Sequence, residues 1–137
     1  MFLLPSRGFV RKLTSKLRHL SQSSQMPNTK IPLISREDLQ AKLDRGDDFT
    51  LVEALPPPNY REGHLPKAIN LPPIQVAELA PKRLPDRDAE IVVYCASPTC
   101  HAAGNAAREL VALGYTNVKE FAGGKEEWRD AGLPLER

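Results

Sequence analysis

The chain has 137 residues, 41% hydrophobic and 26% charged, a length that fits one domain with a real core but not two. Its formal charge of +2 conceals an asymmetry: residues 1–36 hold seven Lys/Arg and no acid, whereas residues 37–137 hold twelve Lys/Arg against seventeen Asp/Glu. The acidic part lacks the basic face that a nucleic-acid partner needs, and the longest apolar run, Ile91 to Ala96, is too short for a transmembrane segment.

Residues 1–27 read as a leader and linker. In "MFLLPSRGFVRKLTSKLRHLSQSSQ" a helical turn of about 100° per residue gathers Phe9, Val10, Leu13, Leu17 and Leu20 on one arc and sets Arg7, Arg11 and Arg18 opposite. A basic amphipathic segment without acids is the pattern of a mitochondrial transit peptide, and Arg18 to Ser21 ("RHLS") is similar to the matrix-protease cleavage pattern. The expected location is the mitochondrial matrix. The alternatives are a chain that starts at Met26 and stays in the cytoplasm, or a helix lying on a membrane surface.

The folded domain is expected over 31–136. Ser35 is a candidate N-cap with Asp38 three residues on, Leu39 and Leu43 share a helical face, and Gly46 is the stop. Phe49 to Ala54 reads as a strand ended by Pro56-Pro57-Pro58. Asn59 to Pro73 reads as a loop holding a short apolar piece at Ala68 to Leu71. Val76 to Leu84 reads as a short helix interrupted or ended at Pro81. Ile91 to Tyr94 is a buried strand by its continuous apolar character. Ala102 to Leu113 is a helix turning Ala103, Ala106, Ala107, Leu110 and Leu113 inward and closed by Gly114. Asn117 to Phe121 is a further strand, Gly123-Gly124 a tight turn, and Lys125 to Ala131 a last helix carrying Trp128. Strands alternating with helices imply an α/β fold with a mostly parallel sheet of about five strands flanked by helices.

The two cysteines, Cys95 and Cys100, both fall in the loop between the buried strand and the alanine-rich helix. That is no disulfide framework, and Cys95, Cys100 and His101 lack the second close ligand pair of a zinc site, so no metal is expected. In open parallel sheets ligands bind beyond the carboxyl ends of strands, where Cys95 sits and where the next helix points its N-terminus. There a thiolate is expected to be favoured relative to a free thiol of pKa about 8.5, with backbone amides aimed at an anionic adduct on the sulfur. The alternative is a small buried hydrophobe that ends a strand.

"GHLPKAINLP", "VVYC", "AARELVALGYTNV" and "GGKEEW", in this order and spacing from about Ile34 to Leu135, resemble the single-domain rhodanese family of sulfurtransferases. The resemblance implies that Cys95 accepts a sulfane sulfur as a persulfide from thiosulfate or a similar donor and passes it to cyanide or a thiol, a protein thiol included. It implies no cofactor. The backbone amides from Ala96 through Ser97, Pro98, Thr99 and Cys100 to His101 would form the anion cradle.

This sequence departs from the family in three places. Glu53 and Leu55 stand where an Asp and an Arg are usual, so a charge pair is missing or rearranged. The loop carries no Lys or Arg, and it is about two residues longer. These features keep open a non-catalytic or redox-sensing module built on Cys95 and Cys100. A longer loop is also used by dual-specificity cell-cycle phosphatases and related arsenate chemistry, but these need an arginine where His101 stands. Cys100 is either a resolving thiol or a packing residue. His64 reads as a hydrogen-bonding residue of a turn, Trp128 as core, and Gly123 and Gly124 as a close approach beside the cysteine loop.

Overall fold

The computed structural model describes residues 30–137, and the leader lies outside them. Among the described residues five helices and four strands alternate: α1 (Arg36–Arg45), β1 (Thr50–Glu53), α2 (Pro57–Glu62), β2 (Ile69–Asn70), α3 (Val76–Arg83), β3 (Ile91–Tyr94), α4 (Ala102–Ala112), β4 (Val118–Phe121) and α5 (Gly124–Asp130). A 3-10 turn, Pro73–Gln75, leads into α3.

The local signals explain most boundaries. Ser35 Oγ accepts the Asp38 amide at 3.0 Å, Glu37 and Asp38 complement the positive end of α1, and Gly46 closes it at φ 71°. Gly114, at φ 102°, follows α4 as expected. Two expectations fail on proline. The triproline does not simply end β1. Pro57 and Pro58 open α2, because an amide missing from a first helical turn is not needed there and the fixed φ suits a helix start. Pro81 does not interrupt α3, which runs on to Arg83. The carbonyl it leaves free belongs to Ala77, an exposed residue.

The strands form one all-parallel sheet in the order β2-β1-β3-β4. β1 pairs with β3 from Thr50↔Ile91 to Glu53↔Tyr94, and β3 with β4 from Ile91↔Val118 to Tyr94↔Phe121. The fold class stands, with four strands rather than about five. The place of a fifth is occupied by Leu33, which makes one parallel bridge to Glu120. There Glu120 donates to Pro32 O at 2.9 Å and Ile34 donates to Glu120 O at 3.0 Å. Pro32 has no amide with which to carry that ladder further back along β4, and Ser35 already starts α1.

Alternation along the strands divides the core into two layers. Val52, Ile91 and Val93 pack with Val76 and Ala80 of α3 and with Ala103, Ala107 and Leu110 of α4. Leu51, Val92 and Tyr94 pack with Leu39 of α1 and Trp128 of α5 on the other face. Every residue of β3 is fully buried, so the strand leading to Cys95 is the most constrained element of the sheet.

Candidate active site

Cys95 follows β3 directly, at the carboxyl edge of the sheet, and its side chain joins the layer against α4. Its residue is 2% exposed. The loop after it curls. Ser97 O accepts the Cys100 amide at 3.0 Å, and the Ser97 and Thr99 hydroxyls pair at 3.1 Å. This turn sets Cys100 O 3.4 Å from Cys95 Sγ. Ala96, Ser97 and Cys100 are half-buried, while Pro98, Thr99 and His101 are exposed. His101 is the residue before α4 and caps the helix with no side-chain hydrogen bond.

Two positions of the expected donor run Ala96 to His101 have no amide free for an anion. Pro98 has no amide to offer, and the Cys100 amide is spent on Ser97 O. The first turn of α4, whose leading amides have no intrahelical partner, begins directly after the loop.

The thiols do not ionise as expected. Burial pushes the Cys95 thiol up to about 11, its hydrogen bond with the Cys100 side chain adds to this, and the Ala103 and Ala96 amides offset only part. Burial also opposes ionisation of Cys100, but hydrogen bonds from Cys95 and from the Ala96 and Ala102 amides outweigh it and hold that thiol below its ordinary value. The first proton to leave the pair therefore comes from Cys100, the more exposed sulfur. The sequence argument counted the helix end and left out the cost of burying Cys95.

The N-terminus of α5 holds the loop from the other side. Lys125 donates its amide to Cys95 O at 3.0 Å and Glu126 to Ala96 O at 2.9 Å. Gly124, at φ 65°, allows this approach: a Cβ there would lie 2.5 Å from Cys95 O and 2.9 Å from the Ser97 nitrogen. The close contact expected of the glycine pair is thus located at Gly124.

The charge pair in doubt at Glu53 is rearranged. Lys125 Nζ lies 3.2 Å from Glu53 Oε2, an ion contact without aligned hydrogen-bond geometry, and donates to Asn59 O at 2.8 Å. Tyr94 donates to Glu53 Oε1 at 2.7 Å and accepts the Leu65 amide at 3.0 Å. Burial and the facing Glu53 carboxylate raise the Tyr94 phenol well above its usual range, so it stays a donor. Lys125 lies in "GGKEEW", and no spacing in the sequence announces its pairing with Glu53.

His64 is structural. Its ring stacks on Tyr60 with centroids 3.8 Å apart, Nδ1 lies 2.9 Å from Tyr60 O, and its backbone pairs with Glu136 in both directions. Trp128 is buried and donates to Pro134 O at 2.9 Å. Among the described residues no three His, Cys, Asp or Glu side chains come together as a metal site, and no helix is long and apolar enough to cross a membrane. A cavity of about 240 Å³ between α1 and β4 is lined by Ile34, Lys42 and Lys119 and not by the cysteine loop.

Residues 35–131 match the family described as Rhodanese-like domain. The chain is 38% identical over 103 residues to the HTH-type transcriptional regulator Rv0324 of Mycobacterium tuberculosis, covering 75% of this chain and 44% of that one. It is 32% identical over 106 residues to the protein named Sulfurtransferase of Allochromatium vinosum, covering 74% of this chain and 92% of that one. It thus spans less than half of the regulator and nearly all of the sulfurtransferase. Among solved structures, BH2092 protein from Bacillus halodurans aligns with a TM-score of 0.72 at 29% identity, over 90% of this chain and 85% of that one.

Proposed function

The chain belongs to the rhodanese-like domain family, and from that premise we propose that it is a sulfurtransferase whose Cys95 carries a sulfane sulfur as a persulfide. The observation that supports this most is the place of Cys95, directly after β3 at the carboxyl edge of the parallel sheet and ahead of the N-terminus of α4. Similarity to a protein named Sulfurtransferase over nearly its whole length supports the same reading.

The Cys95 thiolate attacks the outer sulfur of thiosulfate or a similar donor. A new sulfur–sulfur bond forms, the donor's own breaks, and sulfite leaves with its electron pair. The persulfide ionises more readily than the parent thiol, so its terminal sulfur carries the charge that the amides and the helix end stabilise. Cyanide, glutathione or a protein thiol then removes that sulfur and returns the thiolate, a two-step exchange with ping-pong kinetics. With the thiol pushed up to about 11, the attacking form is a small fraction near neutrality, so loading is slow.

Thiocyanate formation from thiosulfate and cyanide by the full chain tests the reading. Wild type turns over and Cys95→Ser does not. Equal rates in the two proteins defeat it.

A redox-sensing or partner-binding module is the second reading. The lack of Lys or Arg from Cys95 to His101 favours it, as does the likeness to a protein named as a transcriptional regulator. It predicts no thiocyanate, with a Cys95–Cys100 disulfide forming on mild oxidation. Phosphatase or arsenate chemistry lacks support, because the loop ends in exposed His101 and offers no guanidinium fork. Import into mitochondria belongs to the same proposal on the strength of the basic leader alone, and the relatives above, all bacterial, lend it nothing.

A further inference from the structure

Transfer from Cys95 to an outside acceptor leaves Cys100 without a task, yet the loop folds Cys100 back against the Cys95 sulfur. The turn closed by the Cys100 amide on Ser97 O at 3.0 Å folds the chain back until Cys100 O is 3.4 Å from Cys95 Sγ. Each thiol shifts the ionisation of the other, Cys95 upward and Cys100 downward. Both are free thiols. Cys95 is buried and Cys100 half-buried, so an external thiol meets Cys100 before it reaches the inner sulfur of a loaded Cys95.

Resting on the persulfide reading of Cys95, we infer that Cys100 is an internal resolving thiol, which makes the chain a sulfide-releasing enzyme reset by a dithiol reductant. The Cys100 thiolate attacks Cys95 Sγ. A Cys95–Cys100 disulfide forms, the bond from Sγ to the terminal sulfur breaks, and hydrosulfide leaves with that electron pair. No outside oxidant is needed, because the sulfane sulfur is reduced to sulfide as the two thiols are oxidised. A dithiol then reopens the disulfide by exchange and is itself oxidised. Over one cycle thiosulfate and two thiol groups give sulfite, hydrogen sulfide and one disulfide.

Three physical arguments favour this route. The attack is intramolecular, so the acceptor is present at a high effective concentration. Hydrosulfide derives from an acid stronger than an alkyl thiol, and the better leaving group departs faster. The downward shift of Cys100 favours a thiolate there over one on Cys95.

The test treats full-length wild type and Cys100→Ser with thiosulfate, and separately with mercaptopyruvate, in the absence of any added thiol. Intact mass and free sulfide are read together. Wild type should release one sulfide per chain and end two hydrogens lighter, and dithiothreitol should restore its mass. Cys100→Ser should gain one sulfur and hold it, with thiol-free sulfide release lower by about tenfold or more. Cys100→Ala should behave as the serine variant does, and its loading at Cys95 reports that the loop is intact. If wild type keeps the added sulfur and releases no sulfide, the resolving role is overturned and the carrier reading stands. If no protein gains sulfur or releases sulfide with either donor, the carrier reading fails and takes this inference with it.

Discussion

Lys125 Nζ lies 3.2 Å from Glu53 Oε2, with the two side chains 7% and 0% exposed, while the Lys125 amide holds Cys95 O at 3.0 Å. One residue therefore ties the cysteine loop to a buried charge on the neighbouring strand. Removing one member strands the other in a low-dielectric site. Lys125→Met and Glu53→Gln should each lower stability by about 3–5 kcal/mol, and the double variant by clearly less than the sum. Urea unfolding of the three proteins measures this. Additive losses would show that the two charges do not depend on each other.

Gly124 permits the same contact sterically. Gly124→Ala places a Cβ 2.5 Å from Cys95 O at φ 65°, so either the loop or α5 must move. A loss of about 1–3 kcal/mol is expected, with sulfur transfer falling further than the unfolded fraction explains. Activity measured well below the unfolding midpoint separates the two effects. Wild-type activity there would mean that the loop position is not critical.

The thiol pair gives a signed pH prediction. Cys95 is raised from an ordinary 9.0 to about 11, so the fold favours its neutral form. The stability this gives is complete below the unfolded value and is lost as pH climbs through the folded one, and Cys95→Ser should lack that alkaline slope. Alkylation followed by peptide mapping should modify Cys100 first at neutral pH, and Cys95 only as pH approaches about 11. Because the Cys100 hydrogen bond helps to raise Cys95, Cys100→Ser should move the Cys95 profile to lower pH. An unmoved profile would leave burial as the only cause.

How much of this was legible beforehand depended on the range of each signal. Local ones read correctly: the Ser35 cap, the Gly46 stop, the apolar run of β3 and the inward alanines of α4 are set within a few residues. Proline was misread at Pro57 and Pro81 because its effect depends on helix position, which a breaker rule ignores. The Lys125–Glu53 pair joins positions far apart in the chain, and no spacing announces it. At the site, the place of Cys95 was legible from strand, loop and helix order. Its acidity was not, since burial is a property of the packed layers on both faces of β3 and not of the loop sequence.

The loop's lack of cations can be corrected at an exposed position. Thr99→Arg adds a guanidinium to a loop that holds no Lys or Arg, and it should lower the KM for thiosulfate about three- to tenfold with little change in stability. Steady-state kinetics at low ionic strength reads the change, and added salt should shrink it. An unchanged KM would mean that thiosulfate does not bind at this loop.

The most direct test of the central claim is the intact mass of the Cys100→Ser chain after thiosulfate, beside a chain carrying Cys95→Ser as well. The persulfide account predicts a gain of one sulfur in the first, removed by cyanide as thiocyanate, and no gain in the second. A sulfur that also appears when Cys95 is replaced, or that never appears while Cys95 is present, contradicts it.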